Sequence, residues 1–396
     1  MRVLSLLSIV GAASAATVRP SKGCTAKGAV PVVAGDEPKQ LTIHVSDDTQ
    51  SGGATDRTYY IQLPKAYNAS HPSMLIWDLH GYYDTAAGQI KENRLAEYLR
   101  TESVNAVFVA PEGVTDGGAS ESWNADGNGL NTAPGPLGMI CETDRSFWSR
   151  YKCYSSCSAS THGCDAAKGC DSASCMDDKG FLVALLDHVQ DSYCVDLNRN
   201  HYTGISTGAL MVMSLVKAIP ERVASMVPIA GSHFLGYNDV PATKSPVAYL
   251  DVHGTEDDTV PANVTNGFKP RRKKASCTKD AAGRCVGPHG SAVSNDGFHY
   301  TPTPNVTAVW AENNGCDFAA NLPYAPPGFA TADAKWAWSC NAPHGNCGGA
   351  DVAQCVGAWD HTWPFCPYNQ YPCANTDYAR LAVEFFKAHP KLEPRA

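Results

Sequence analysis

The chain has 396 residues, a hydrophobic content of 43% and a formal net charge of −8. Such a length and composition allow one large core. The mild acidity argues against nucleic acid as a partner and gives no signal of membrane binding. No internal repeat, long low-complexity tract or obvious linker divides the chain.

The N-terminus has a short positive start, Met1-Arg2, an apolar run from Val3 to Ala12 and a small-x-small site, Ala13-Ser14-Ala15. This pattern predicts a signal peptide over residues 1–15, because the apolar run is shorter than the roughly 18 residues of a membrane span. The expected product is a single exported, extracellular domain over 16–396. Cysteine usage agrees: there are 16, and none lies in the leader. An oxidising compartment favours their pairing, although sequence leaves the connectivity open. Zinc is the rival reading for Cys153-x3-Cys157 and Cys170-x4-Cys175, and the export signal weighs against it. Asn68, Asn263 and Asn305 each open an N-x-S/T acceptor for glycosylation. The basic run Arg271 to Lys274 reads as a solvated loop or a processing site.

Residues 16 to about 58 carry few periodic signals and read as an entry segment. Thr58–Leu63 alternates weakly as a strand. Met74–Leu79 and Ala106–Pro111 are short apolar runs of the kind buried parallel strands show. Ala86–Thr101 has helical character between them. Asp178–Tyr193 is expected to be a helix, with Phe181, Leu182, Leu185, Leu186 and Val189 on one face. A strand through His201–Gly204, a helix over Gly208–Ala218, strands at Ser225–Ala230, Val247–Val252 and Val352–Val356, and a closing helix over Thr376–Ala388 complete the series. Strands alternating with helices imply an α/β fold with a mostly parallel central sheet flanked by helices. Two stretches break the alternation. Residues 141–176 are cysteine-rich with few large aliphatic side chains, so they read as a disulfide-stapled insertion. Residues 262–300 are polar and read as a second long loop.

Gly204-Ile205-Ser206-Thr207-Gly208 is a G-x-S-x-G sequence between a predicted strand and a predicted helix, the setting of a nucleophile elbow in the α/β-hydrolase fold. Such a turn exposes the serine hydroxyl, and the N–H of the next residue, Thr207, points at a developing oxyanion. Chain order in that fold is Ser, acid, His. Asp257, in the loop after Val247–Val252, is the expected acid; Asp258 is its competitor, and Asp251 within the strand reads as structural. His253 precedes the acid and reads as a loop-shaping residue. His361, after Val352–Val356 and before the last helix, is the expected base, ahead of His289, His299 and His344. The second oxyanion donor is expected from the loop after an early strand, and Tyr82 of His80-Gly81-Tyr82-Tyr83 occupies that place.

At these motifs the chain resembles the secreted esterase group that contains polyhydroxybutyrate depolymerases, feruloyl esterases and acetylxylan esterases. The matching pieces are Leu79-His80-Gly81, Asp177-Asp178 with Gly180-Phe181, Tyr193-Cys194-Val195-Asp196, Gly204–Ala209, His253–Asp257 with Val260-Pro261, Asn314-Gly315-Cys316, and His361-Thr362-Trp363-Pro364. Trp359-Asp360 stand where the family often has two glycines. The resemblance implies a Ser206–His361–Asp257 triad and two-step acyl transfer with no metal or organic cofactor. It also implies an ester substrate: a feruloyl or related cell-wall polysaccharide ester, or alternatively a polyester. A non-catalytic binding protein on a hydrolase scaffold and a peptidase are the readings of other classes.

Overall fold

The computed structural model describes residues 17–26, 31–46, 54–116, 120–126, 135–141, 154–157, 173–241, 243–264, 278–317, 322–345, 347–366 and 372–392. The predicted signal peptide, the Arg271–Lys274 run and most of the 141–176 insertion lie outside these residues. Among the described residues no helix is long and apolar enough to cross a membrane.

Eight strands form the body of the sheet: β1 (Lys39–Ser46), β2 (Ala54–Gln62), β3 (Ser73–Leu79), β4 (Ala106–Pro111), β5 (Val195–Ile205), β6 (Ser225–Ile229), β7 (Ala248–Gly254) and β8 (Val352–Gly357). Their spatial order is β1-β2-β4-β3-β5-β6-β7-β8, and Trp338–Ala342 extends it antiparallel beyond β8. The pairs from β4 through β8 are parallel, whereas β1 with β2 and β2 with β4 are antiparallel. This order and direction are those of the α/β-hydrolase fold, as the sequence predicts.

The burial of the strands follows from that topology. Every residue of β3, β4, β6 and β7 is buried, so these strands carry no polar-out alternation. Leu75, Trp77 and Leu79 of β3 join a core with α3 (Asp178–Ser192) and α4 (Thr207–Ala218) on one face. Met74 and Ile76 join a second core with α2 (Leu95–Thr101) and α6 (Asp377–Ala388) on the other. Period-two side-chain alternation thus feeds two helical layers from one strand.

Three expectations are corrected. The entry segment holds β1, in which Leu41, Ile43 and Val45 alternate with polar residues and turn one face to the first core, a short period-two signal that the reading of this segment passes over. The helix expected over Ala86–Thr101 is two helices, α1 (Ala86–Asn93) and α2, broken at Arg94, which has a left-handed φ of 58°. The polar stretch 262–300 ends in a run, Ser291 to Tyr300, that is buried throughout. There, hydrogen bonds such as Phe298 N–H to Ser294 Oγ satisfy the polar groups. Helix α5 (Thr303–Asn314) follows, and it covers the β7–β8 side.

Five disulfides join described residues: Cys24–Cys194, Cys157–Cys175, Cys316–Cys347, Cys340–Cys355 and Cys366–Cys373. Cys141 is disulfide-bonded as well, and no described cysteine is free. The Cys157–Cys175 bridge removes two of the thiols that the zinc reading requires.

One buried ion pair ties the first half of the sheet to α3. Arg57 of β2 donates to Asp178 over 2.6 Å, with side-chain exposures of 1% and 0%. Its guanidinium lies 3.9 Å over the Phe181 ring, and Asp178 also accepts from the Asn124 N–H. Truncating one member of such a pair leaves the other charged and buried. Arg57→Ala is therefore expected to lose about 3–5 kcal/mol in urea denaturation; a loss below about 1 kcal/mol would mark the pair as energetically idle.

Candidate active site

In a parallel sheet the functional loops gather at the carboxyl ends of the strands. Here β3, β5, β7 and β8 deliver His80–Tyr83, Ser206, Asp257 and His361 to the same edge. Ser206 sits between β5 and α4 at φ 57°, ψ −124°, a strained conformation for a residue with a Cβ. Its N–H donates to Ile229 O, and its carbonyl accepts from Leu210 N, which fixes the turn at both sides. The flanking glycines are required by contact. A Cβ on Gly208 would lie 2.1 Å from Leu79 O and 2.4 Å from His80 O, and one on Gly204 would lie 2.6 Å from Leu79 O.

Asp257 is fully buried in the loop after β7. Its Oδ1 accepts from the N–H groups of Thr259 and Val260, and its Oδ2 accepts from His361 Nδ1 at 2.8 Å. Asp258 turns elsewhere, accepting from the Asn295 side chain. The acid and histidine loops are docked to each other by backbone. Thr255 N–H donates to Gly357 O, Glu256 N–H donates to Trp359 O, and a Cβ on Gly254 would lie 2.1 Å from Trp359 O. Asp360, in place of a glycine, accepts from the His361 N–H. Burial opposes a charge on His361, and the Asp257 carboxylate outweighs it, so the imidazole pKa stands above 6.5.

His80 and Gly81 approach the serine from β3. His80 Nε2 accepts from Gly113 N–H, and its Nδ1 donates to the Gly81 carbonyl at 2.8 Å, so the ring is neutral with a fixed tautomer. Burial first of all holds its pKa down at about 4. A Cβ on Gly81 would lie 3.3 Å from Ser206 Cβ, so this segment runs directly past the serine.

A cavity of about 280 Å³ is lined by Gly81, Tyr82, Tyr83, Asp84, Glu92, Ile205, Ser206, His361 and Trp363. Tyr83 is 51% exposed with φ 69°, edge-on to Tyr82. Burial raises the carboxyl pKa of both Asp84 and Glu92. A larger groove of about 400 Å³, lined by Arg19, Asn198, Arg222 and Lys391 among others, lies at the opposite ends of the strands and holds none of these groups. Ser206, Tyr82 and His361 thus line one cavity, and Asp257 stands behind His361. His299 bonds instead to Met139 O, and His289 lines a separate cavity with Asn305. Sequence reasoning missed Asp84 and Glu92, which carry no motif of their own.

No protein-family model matches the chain. Among curated proteins it is 25% identical over 288 residues to feruloyl esterase C of Emericella nidulans, covering 71% of this chain and 82% of that one. A shorter match, 26% identical over 105 residues, is to the bifunctional acetylxylan esterase/xylanase of Neocallimastix patriciarum; it covers 26% of this chain and 15% of that protein. The solved acetyl xylan esterase from Aspergillus awamori superposes over 88% of this chain and 99% of its own, at 13% identity and a TM-score of 0.47. The fold defined by strand order and direction is that of the α/β-hydrolases. Within it, the chain is similar to carboxylic ester hydrolases of the kind that these relatives represent.

The contact between Gly208 and the end of β3 leaves no room for a methyl group. Gly208→Ala is expected to cost at least about 1–3 kcal/mol in thermal or urea unfolding and to displace the serine turn; an unchanged Tm would contradict that packing.

Proposed function

We propose that the protein is a secreted carboxylic ester hydrolase in which Ser206 is the nucleophile, His361 the general base and Asp257 the acid that orients it. The observation that carries this reading is the 2.8 Å hydrogen bond from His361 Nδ1 to buried Asp257, with His361 and the strained Ser206 lining one cavity. Asp257 fixes the tautomer, leaving Nε2 to take the serine proton. Ser206 Oγ then attacks the ester carbonyl, and His361 returns the proton to the departing alcohol. Water, deprotonated by the same nitrogen, attacks the acyl-enzyme and releases the acid.

The N–H groups of Thr207 and Tyr82 are the proposed oxyanion donors. Thr207 opens α4, so the helix N-terminus favours negative charge at that point. His80 holds the Gly81 carbonyl, and a trans peptide directs the following N–H, that of Tyr82, to the opposite side. No step of this scheme calls for a metal or organic cofactor.

The substrate class rests on the relatives and the cleft. A feruloyl ester of plant cell-wall polysaccharide is the first choice, with an acetylxylan ester next; the exposed Tyr83 supplies an aromatic face beside the serine. Secretion is supported by the leader-like N-terminus and the disulfides, and Asn68, Asn263 and Asn305 are exposed at their acceptor sites. A panel of methyl ferulate, acetylated xylan, polyhydroxybutyrate, short p-nitrophenyl esters and a peptide amide tests the assignment. Cleavage of the amide alone would overturn it.

Ser206→Ala is expected to reduce kcat by about 10⁴-fold or more with folding retained. Asp257→Asn is expected to be far more damaging than Asp258→Asn in the same assay; equal, mild effects would move the acid elsewhere. The pH profile follows from the raised His361 pKa. The imidazolium cannot accept a proton, so kcat/KM should fall on the acid side with a midpoint above 6.5 and stay level above it. A level profile through that midpoint, measured with chemistry rate-limiting, would exclude a histidine base.

A further inference from the structure

Behind Asp257 stands a second histidine. His253 of β7 is fully buried, and each of its ring nitrogens faces an acceptor. Nε2 lies 2.8 Å from the Val260 carbonyl oxygen, and Nδ1 lies 3.3 Å from Asp251 Oδ1. A carbonyl and an ionised carboxylate can only accept, so both contacts are satisfied together when both nitrogens carry a proton. The Asp257 oxygen that accepts from His361 is 3.8 Å from His253 Nε2. The imidazole therefore sits between two buried carboxylates. Gln354 of β8 donates to the second Asp251 oxygen at 2.9 Å and holds that carboxylate in place.

We propose that His253 is a positioning residue that keeps its proton throughout the working pH range. As an imidazolium behind Asp257, it makes His361 less basic than Asp257 alone would make it. Burial alone would strip such a proton, and the two carboxylates reverse this, bringing the His253 pKa to about 9. The surrounding charges are few. Asp251 comes from the same strand, Asp257 from the next loop, and His361 with Asp360 from the loop after β8. Tyr300, near Asp257 and Asp296, is held neutral by burial. The cation has two effects. Its Nε2–H fixes the Val260 carbonyl, and so the turn whose N–H groups hold Asp257. Its charge offsets part of the Asp257 field at His361, which keeps the base neutral, and able to accept a proton, to lower pH.

The catalytic half of this inference rests on His361 being the base, and its test separates the two. Imidazole ¹⁵N spectra of the labelled native protein, recorded from about pH 5 to about pH 9, should show both His253 nitrogens protonated across the whole titration of His361. A neutral His253 ring at about pH 7 would overturn the proposal, with no variant needed. His253→Gln keeps an amide donor for the Val260 carbonyl and removes the charge. In that variant the His361 titration midpoint should rise by roughly one pH unit, and the acid limb of kcat/KM should move with it. A rate loss at all pH values with the midpoint unmoved would mean that His253 is only structural, and would overturn the proposal. Full esterase activity in His361→Ala would overturn the base assignment and the catalytic half with it, while the spectra still report the charge on His253.

Discussion

The site depends on one close crossing, where the turn between β5 and α4 passes the end of β3. Leu79 and His80 present their carbonyl oxygens to that turn, and only glycine at 204 and 208 leaves space for them. The crossing lets Ser206 occupy a backbone conformation that costs of order 1–3 kcal/mol. Parallel pairing of β3 with β5 and of β5 with β6, together with the Ser206 N–H to Ile229 O bond, holds the chain there. The same crossing brings Gly81 against the serine, so the strain and the proposed oxyanion site share one origin.

A second docking brings the remaining groups in. Gly254 admits the Trp359 carbonyl, and backbone bonds from Thr255 and Glu256 fasten the acid loop to the histidine loop. The Asp257–His361 hydrogen bond therefore joins two loops that are already registered by main chain, which reduces the side-chain freedom lost in forming it. Disulfides bracket the histidine segment. Cys340–Cys355 lies on the strand before it, and Cys366–Cys373 follows it and leads toward α6. Trp359, Trp363 and Phe365 of the same segment are buried in the second core, so packing and cross-links together attach it to the sheet.

Several elements were legible because their signal is local. The apolar runs of β3, β4, β6 and β7 are buried on both faces, and nothing in their surroundings contradicts a strand reading. Others were not. β1 has an apolar alternation, Leu41, Ile43 and Val45, but it is brief and half-exposed at the sheet edge beside β2, and only the fold shows the core that this face covers. Residues 291–300 look like a loop because they are polar, yet they are buried, since their hydrogen bonds are made to one another and to distant segments such as Ile140. Arg94 interrupts a helical pattern by adopting a left-handed conformation in which its guanidinium bonds Glu97 and the carbonyls of Cys373 and Ala374.

By itself the sequence pointed to the class of fold, an even number of cysteines, and Ser206, His361 and an acid in the Asp257-Asp258 pair as the groups proposed for acyl transfer. Those features are written in adjacent residues: apolar runs, G-x-S-x-G, and chain order. Only the tertiary structure decided that Asp257 rather than Asp258 meets His361, that Asp84 and Glu92 line the cavity, and that His253 sits between two carboxylates. Such facts depend on distances between residues far apart in the chain. His361 and Asp257 are separated by 104 positions and lie 2.8 Å apart, a proximity set by strand order and loop docking, which no local pattern encodes.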